Sequence, residues 1–386
     1  MRPIRVVTIF GVRPEAIKMA PVIACLRENP GHFEVRVVVT AQHREMLDQV
    51  LDHFSISPDY DLDIMRPQQT LTEVTVRALR GLRPVLVREN PDLVLVHGDT
   101  ATTFAGSLAA FYRQVPVGHV EAGLRTRCKY APFPEEMNRR LTGVLADLHF
   151  APTATARSNL LAEGVQDRSI FVTGNTAIDA LHLTVKKGYR FQTPLLRGLD
   201  FGGRKVVVVD AHRRENFGRP MEEVCLALRD IASGHPEVEL VFSVHKNPAV
   251  EEVARRLLSG CDRVHLVEPL PYPEWANLMK AAYLIITDSG GLQEEAPSLG
   301  TPVLLLRDTT ERPEALEAGT VVMVGPHRER IVSAVGRLLR DPLAYEKMSR
   351  AVNPYGDGRA AERIRAAILY HFGRHPQRPP EYKGAS

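Results

Sequence analysis

The stretch Tyr283-Leu-Ile-Ile-Thr-Asp-Ser-Gly-Gly-Leu-Gln-Glu-Glu-Ala296 decides the fold. Its first half is an apolar, β-branched run that reads as a buried strand. The pair Gly290 and Gly291 then opens a short helical pattern. A strand that feeds a helix through such a turn bares backbone N–H groups at the positive end of the helix dipole, which suits a phosphate. Glu294 and Glu295 stand one turn further in, where a carboxylate can take a hydroxyl but repels more anion. Together these features suit a sugar-nucleotide diphosphate. The plainer alternative is an ordinary tight turn between strand and helix.

Outward from this stretch the same alternation runs through almost the whole chain. Strands are predicted at Ile4–Phe10, Glu34–Thr40, Leu93–His97, Val117–Val120, Leu148–Ala151 and Ile170–Thr173. A second series follows at Lys205–Asp210, Glu239–Val244, Val264–Val267, Leu284–Thr287, Pro302–Leu306 and Val321–Val324. Helical patterns lie between them, among them Glu15–Arg27, Leu71–Arg88, Thr103–Tyr112, Met221–Ser233 and Ile331–Arg340. Near-continuous apolar strands alternating with helices predict parallel sheets covered on both faces. The aperiodic Lys186–Arg204 is the expected connection between two Rossmann-like halves. In such sheets ligands bind beyond the carboxyl ends of the strands, so a cleft between the halves would gather loops from both.

Composition narrows the function. With 386 residues, two domains are expected. The formal charge of +3, with Arg and Lys scattered, argues against a nucleic-acid partner. The four cysteines, Cys25, Cys128, Cys225 and Cys261, are widely spaced, which suggests neither zinc nor a disulfide framework and points to a reducing cytoplasm. The N-terminal apolar run is too short for a signal peptide, and no segment is long and apolar enough to span a membrane.

Polar clusters recur where the predicted strands end. In Phe10-Gly-Val-Arg-Pro-Glu-Ala16, Gly11 permits a tight turn and Arg13 can grip an anion, with Lys18 one turn on. In His97-Gly-Asp-Thr100, Asp99 is either a helix N-cap or a working carboxylate. Glu121 directly follows an apolar strand, where a carboxylate is costly unless used or paired. Glu135 and Arg139 are four apart on a helix and can form a surface pair. In the second half come Asp210-Ala-His-Arg-Arg-Glu-Asn216, Val244-His-Lys-Asn-Pro248 and Asp308-Thr-Thr-Glu-Arg-Pro-Glu314. His212, His245 and Arg312 are their cationic members. The expected site thus sets carboxylates of one domain against cations and a phosphate turn of the other.

These motifs, together with Thr40-Ala-Gln-His-Arg44 and Asn353-Pro-Tyr-Gly-Asp-Gly358, resemble those of the non-hydrolysing UDP-N-acetylglucosamine 2-epimerases over nearly the whole chain. The resemblance implies the GT-B architecture, two Rossmann-like domains with parallel sheets facing across a cleft, usually in a homodimer. It implies residues 1–178 and 179–359 as those domains, a helix within 360–373 returning to the first, and a mobile tail at 374–386. The activity implied is the interconversion of UDP-GlcNAc and UDP-ManNAc, supplying ManNAc for cell-surface polysaccharide. By motif position Asp99, Glu121, Glu135, Arg139 and His212 match the family's catalytic group. Arg13, Lys18, Ser289, Gly290, Gly291, Glu295 and Arg312 match nucleotide-holding positions, and Trp275 falls where an aromatic faces uracil, although it also suits a core. Gln42, Arg213 and His245 match positions implicated in activation by a second substrate molecule. The chain departs from the family pattern at Glu45 (usually Gln), Gln68 (usually Arg), Val12 and Asp210 (both usually Thr).

The chemistry explains the division of residues. Carbon 2 of the sugar is only weakly acidic, because its neighbour is an acetal. Transient oxidation by NAD would solve this, but the chain shows no G-x-G-x-x-G with a ribose-binding acid, and no cofactor or metal is expected. Elimination of UDP to 2-acetamidoglucal, then re-addition, is the family's route. Carboxylates would move the protons while cations and helix-end N–H groups stabilise the departing diphosphate. The rival readings are a GT-B glycosyltransferase and a hydrolysing 2-epimerase.

Overall fold

The computed structural model describes residues 2–40, 44–66 and 68–384, with the backbone alone at 44–46. Two compact units divide the chain. One holds the residues up to Leu183 and Tyr355–Gly384, the other Thr184–Pro354.

The first unit is built on a parallel sheet of seven strands: β1 (Ile4–Phe10), β2 (Phe33–Val39), β3 (Tyr60–Asp61), β4 (Leu93–His97), β5 (Val117–Val120), β6 (Leu148–Ala151) and β7 (Ile170–Val172). Their spatial order is β3-β2-β1-β4-β5-β6-β7, so the winding reverses between β1 and β4. That reversal opens a crevice beyond the carboxyl ends of β1 and β4. The strands carry apolar residues on both faces because helices cover both. Val6 and Phe10 pack with Met19, Ile23 and Leu26 of the helix Arg13–Arg27, while Val7, Ile9 and Val94 pack with Leu82 and Leu86 of the helix Leu71–Glu89. Two-residue β3 escapes sequence reading because no alternation can be recognised over so short a run.

The last helix, Ala360–His371, belongs to this first unit. Ala361, Ile364, Ala367 and Ile368 are buried in the same cluster as Met19 and Ile23. Its first turn is capped from a distance. The carboxylate of Asp179 accepts from the N–H groups of Ala360 (3.1 Å) and Ala361 (2.8 Å), placing negative charge at the helix's positive end. The following tail, expected to be mobile, is instead tied along β7 as far as it is described. Tyr382 N–H donates to Val172 O at 2.8 Å, and the Arg378 guanidinium lies 4.3 Å from the centre of the Phe171 ring. Its prolines and polar residues gave no local sign of this, because the partners are backbone carbonyls of a distant strand.

The second unit repeats the plan with six parallel strands: β8 (Lys205–Asp210), β9 (Val238–Ser243), β10 (Val264–Val267), β11 (Leu284–Thr287), β12 (Val303–Leu305) and β13 (Val321–Met323). The order β10-β9-β8-β11-β12-β13 puts the reversal between β8 and β11, and Thr287 pairs with Asp210 at their carboxyl ends. The aperiodic connection Lys186–Arg204 packs on this unit. Phe191 stacks on Phe201 at 5.2 Å, and buried Glu274 accepts from the N–H groups of Gln192 and Thr193 and from the Thr193 hydroxyl. Among the described residues no helix is long and apolar enough to cross a membrane.

Candidate active site

In the first unit the polar groups converge beyond β1, β4 and β5. Gly11 leaves β1 beneath Thr40 and Thr102, whose hydroxyls lie 2.9 Å apart. A Cβ on Gly11 would run into both. Glu15, buried at the first turn of the next helix, accepts from Gly11 N–H (2.7 Å) and Val12 N–H (3.1 Å). It also accepts from the hydroxyls of Thr100 (2.6 Å) and Thr103 (2.9 Å) on the loop and helix after β4. One carboxylate therefore joins the two loops that flank the crevice. Burial raises its pKa to about 6, against the lowering pull of these four donors.

Asp99 is not an N-cap. Thr100 takes that role, its hydroxyl accepting from Thr103 N–H at 3.2 Å. The Asp99 carboxylate is thereby released to face Arg139, whose guanidinium lies 2.7 Å away. Arg139 in turn reaches Glu136 at 3.1 Å. The expected pairing of Arg139 with Glu135 is thus replaced by one with Asp99 and Glu136. Glu136 is buried and accepts the N–H groups of Thr126 (3.1 Å) and Arg127 (3.2 Å), and Asn138 donates to the Asp99 carbonyl at 2.9 Å. Burial raises the Asp99 pKa despite Arg139, and the charges of Glu121 and Glu135 push the same way.

Glu121 follows β5 with φ 63, a left-handed conformation rare for a side-chain-bearing residue and costing about 1–2 kcal/mol. Three groups hold it there. Its carboxylate pairs with Lys18, accepts from Asn175 Nδ2 at 3.0 Å, and lies 3.8 Å from His97 Nε2. Burial alone would raise its pKa, but Lys18, His97 and the hydrogen bonds from Lys18 and Asn175 prevail and hold it far below the usual carboxylate range. Behind this row stand buried imidazoles. His119 Nε2 lies 2.7 Å from Gly98 O; a carbonyl only accepts, so that nitrogen carries the proton. Burial lowers the pKa of His97 to about 4 and that of His119 to about 3, so both are neutral near pH 7.

The crevice of the second unit is assembled in the same way. Asp288, fully buried after β11, accepts from His212 N–H (3.0 Å), Arg213 N–H (2.9 Å) and Asn216 Nδ2 (2.8 Å), joining the loop after β8 to that after β11. The His212 ring stacks on His245 at 5.7 Å between centres. After Ser289, whose side chain makes no cap hydrogen bond, Gly290 and Gly291 open the helix Gly290–Ser298. Gly290 lies against Arg312: a Cβ there would sit 2.5 Å from the guanidinium. Arg312 is held by Glu294 (2.5 Å) and Glu311 (2.6 Å). Glu294 is buried in that ion pair, while Glu295, on the same helix, is half-buried.

Lys18, Asp99, Glu121, Glu135 and Arg139 thus gather in the first unit, with half-buried Arg13 at the start of the helix after β1. His212, Arg213, His245, Ser289, Gly290, Gly291 and Arg312 gather in the second. Trp275 is half-buried on the helix Tyr272–Ala281, whose Tyr272, Ala276 and Leu278 are buried. Gln42 lies outside the described residues, as does the side chain of Glu45. The bracing residues Glu15, Glu136, Asn138, Asn175 and Asn216 were not singled out by sequence reading. Only Glu15 carried a local sign, a glutamate at the third helical position as in a capping box.

Known proteins resemble this chain over nearly its whole length. Residues 25–369 match the family model described as UDP-N-acetylglucosamine 2-epimerase. The chain is 54% identical over 384 residues to the UDP-N-acetylglucosamine 2-epimerase of Bacillus subtilis, covering 100% of both. It is 57% identical over 369 residues to that of Escherichia coli, covering 94% of this chain and 98% of the other. Among solved structures it is similar to the UDP-GlcNAc 2-epimerase of Neisseria meningitidis bound to UDP-GlcNAc, with TM-score 0.85, 48% identity and coverage of 95% and 100%.

Proposed function

The chain belongs to the UDP-N-acetylglucosamine 2-epimerase family, enzymes of the isomerase class, and on that premise we propose that it interconverts UDP-GlcNAc and UDP-ManNAc by elimination and re-addition of UDP. A carboxylate of the first unit removes the proton from carbon 2. The bond from carbon 1 to the diphosphate oxygen breaks, its electron pair leaves with UDP, and a double bond forms between carbons 1 and 2. A proton then returns to carbon 2 on the opposite face, and the diphosphate oxygen re-forms its bond to carbon 1.

The observation that carries this reading is the opposed tuning of two carboxylates at the ends of neighbouring strands. Asp99 is pushed up by burial, while Glu121 is held ionised chiefly by Lys18. Carboxylates driven apart in this way are suited to exchange protons in opposite senses. Glu135 adds a third carboxylate, and Arg139 orients Asp99. In the second unit His212, Arg312, Ser289 and the N–H groups at Gly290 and Gly291 stabilise the departing diphosphate. Glu295 takes a ribose hydroxyl, Trp275 faces uracil, and Arg13 and Lys18 assist the anion. Arg213 and His245, with Gln42, serve a second UDP-sugar if substrate activates. The enzyme works as a cytoplasmic homodimer and provides ManNAc for surface polysaccharide.

Incubation with UDP-GlcNAc in heavy water, followed by proton NMR, tests this reading. UDP-ManNAc carrying deuterium at carbon 2 is expected. Free ManNAc would identify a hydrolysing enzyme, and retention of the original hydrogen with transfer of the sugar to an acceptor would identify a glycosyltransferase.

A further inference from the structure

We infer that Asp210 is a positioning residue for His212, fixing the orientation and the charge of its ring. The inference rests on the proposed reaction only for the use to which that charge is put. Asp210 is the last residue of β8, and its Oδ1 lies 3.4 Å from His212 Nδ1. Asp288 Oδ1 lies 3.7 Å from the same nitrogen. The two carboxylates are not equivalent. Asp288 is already engaged by the N–H groups of His212 and Arg213 and by Asn216 Nδ2. Among the described residues, Asp210 has only the Thr287 hydroxyl, at 3.4 Å on its other oxygen. Asp210 is therefore the carboxylate with an oxygen to spare for the imidazole.

Two consequences follow from elementary chemistry. A carboxylate facing Nδ1 holds the proton on that nitrogen and turns Nε2 away from the strand end. It also favours the imidazolium, and the His212 pKa is indeed raised. The hydrogen bond to Asp210 is the largest cause, opposed by burial and by Arg213, and reinforced by the charges of Asp210 and Asp288. His245, stacked from the loop after β9, is the remaining titratable neighbour facing the ring. A cation that survives to higher pH is what a departing diphosphate requires.

The test compares Asp210→Asn, which keeps the shape and removes the charge, with Asp210→Glu, which keeps the charge. His212 is followed by NMR in protein carrying isotope-labelled histidine, and epimerisation is measured across pH. In Asp210→Asn the imidazole should titrate at lower pH than in the wild type, because the partner that raised its pKa is gone. The alkaline limb of kcat should move the same way. The rate should then fall about tenfold at pH 8 but only about twofold at pH 6, a fraction of what general acid–base groups contribute. Asp210→Glu should recover most of the loss at pH 8. An unmoved His212 titration, or a loss equal at all pH values and not recovered by glutamate, would overturn the inference. If the wild-type chain fails to epimerise, the proposed function falls while the His212 titration still decides the role of Asp210.

Discussion

The Thr100 hydroxyl donates to the carboxylate of Glu15 across 2.6 Å, joining residues 85 positions apart. Through this bond the loop after β1 and the loop after β4 become one structure. The second unit has its counterpart in Asp288, which joins the loop after β8 to that after β11. In each unit a buried acidic side chain braces the point where the winding of the sheet reverses. Four donors surround Glu15: two backbone N–H groups, which cannot accept, and two threonine hydroxyls, which can only by turning their own protons elsewhere. Glu15→Gln should therefore replace charge-assisted bonds with neutral ones and force the hydroxyls to turn and accept from the new NH2 group, at a cost of about 1–3 kcal/mol. The measurement is the urea midpoint, which should fall, and kcat should fall with it because Asp99 precedes Thr100. An unchanged midpoint would show that the brace is dispensable.

Asp99→Asn and Glu121→Gln separate proton handling from binding. Each should lower kcat by about 10²–10⁴-fold, the usual worth of a general acid or base. Deuterium entry at carbon 2 should fall in parallel. UDP affinity should change far less, since most of the groups proposed to hold the diphosphate lie in the other unit. Undiminished deuterium entry in both variants would remove these residues from the proton path.

Gly290→Ala probes the phosphate turn. The added methyl would press on the Arg312 guanidinium, which Glu294 and Glu311 hold in place. UDP binding measured by calorimetry should weaken about tenfold, close to 1.4 kcal/mol. An unaltered Kd would place the diphosphate elsewhere.

Acid should weaken the fold through its buried histidines. Burial lowers the pKa of His97 and His149 to about 4 and that of His119 to about 3. The unfolded chain, with histidines near 6.5, takes up protons first as pH falls. The stability these groups confer is therefore complete above pH 6.5 and lost progressively as pH falls toward 4. Urea midpoints should drop between pH 7 and pH 5, as the unfolding free energy falls by on the order of 1 kcal/mol per histidine. His149→Gln, which cannot titrate, should lose less over the same interval. A midpoint constant over this range would contradict neutral histidines in the folded chain.

Much of the fold could be read along the chain. Twelve of the strands lie within a residue of where alternation places them, because burial on both faces demands a continuous apolar run. The glycine turn at Gly290 and the polar strand ends were legible for the same reason: each is a local pattern. The pairings were not. Asp99 reads as a helix cap, the commoner role for an aspartate there, or as a working carboxylate, and only the structure gives the cap to Thr100. Arg139 has Glu135 at ideal helical spacing, yet it meets Asp99, because the crevice brings β4's loop against that face of the helix.

The sequence by itself determined where strands and helices form and which residue types stand at their ends, since those depend on periodicity, capping and backbone freedom within a few positions. Tertiary structure alone decided which carboxylate meets which cation and which stay ionised. A buried charge takes its pKa and its partner from groups within a few ångströms in space, and those groups come from anywhere in the chain.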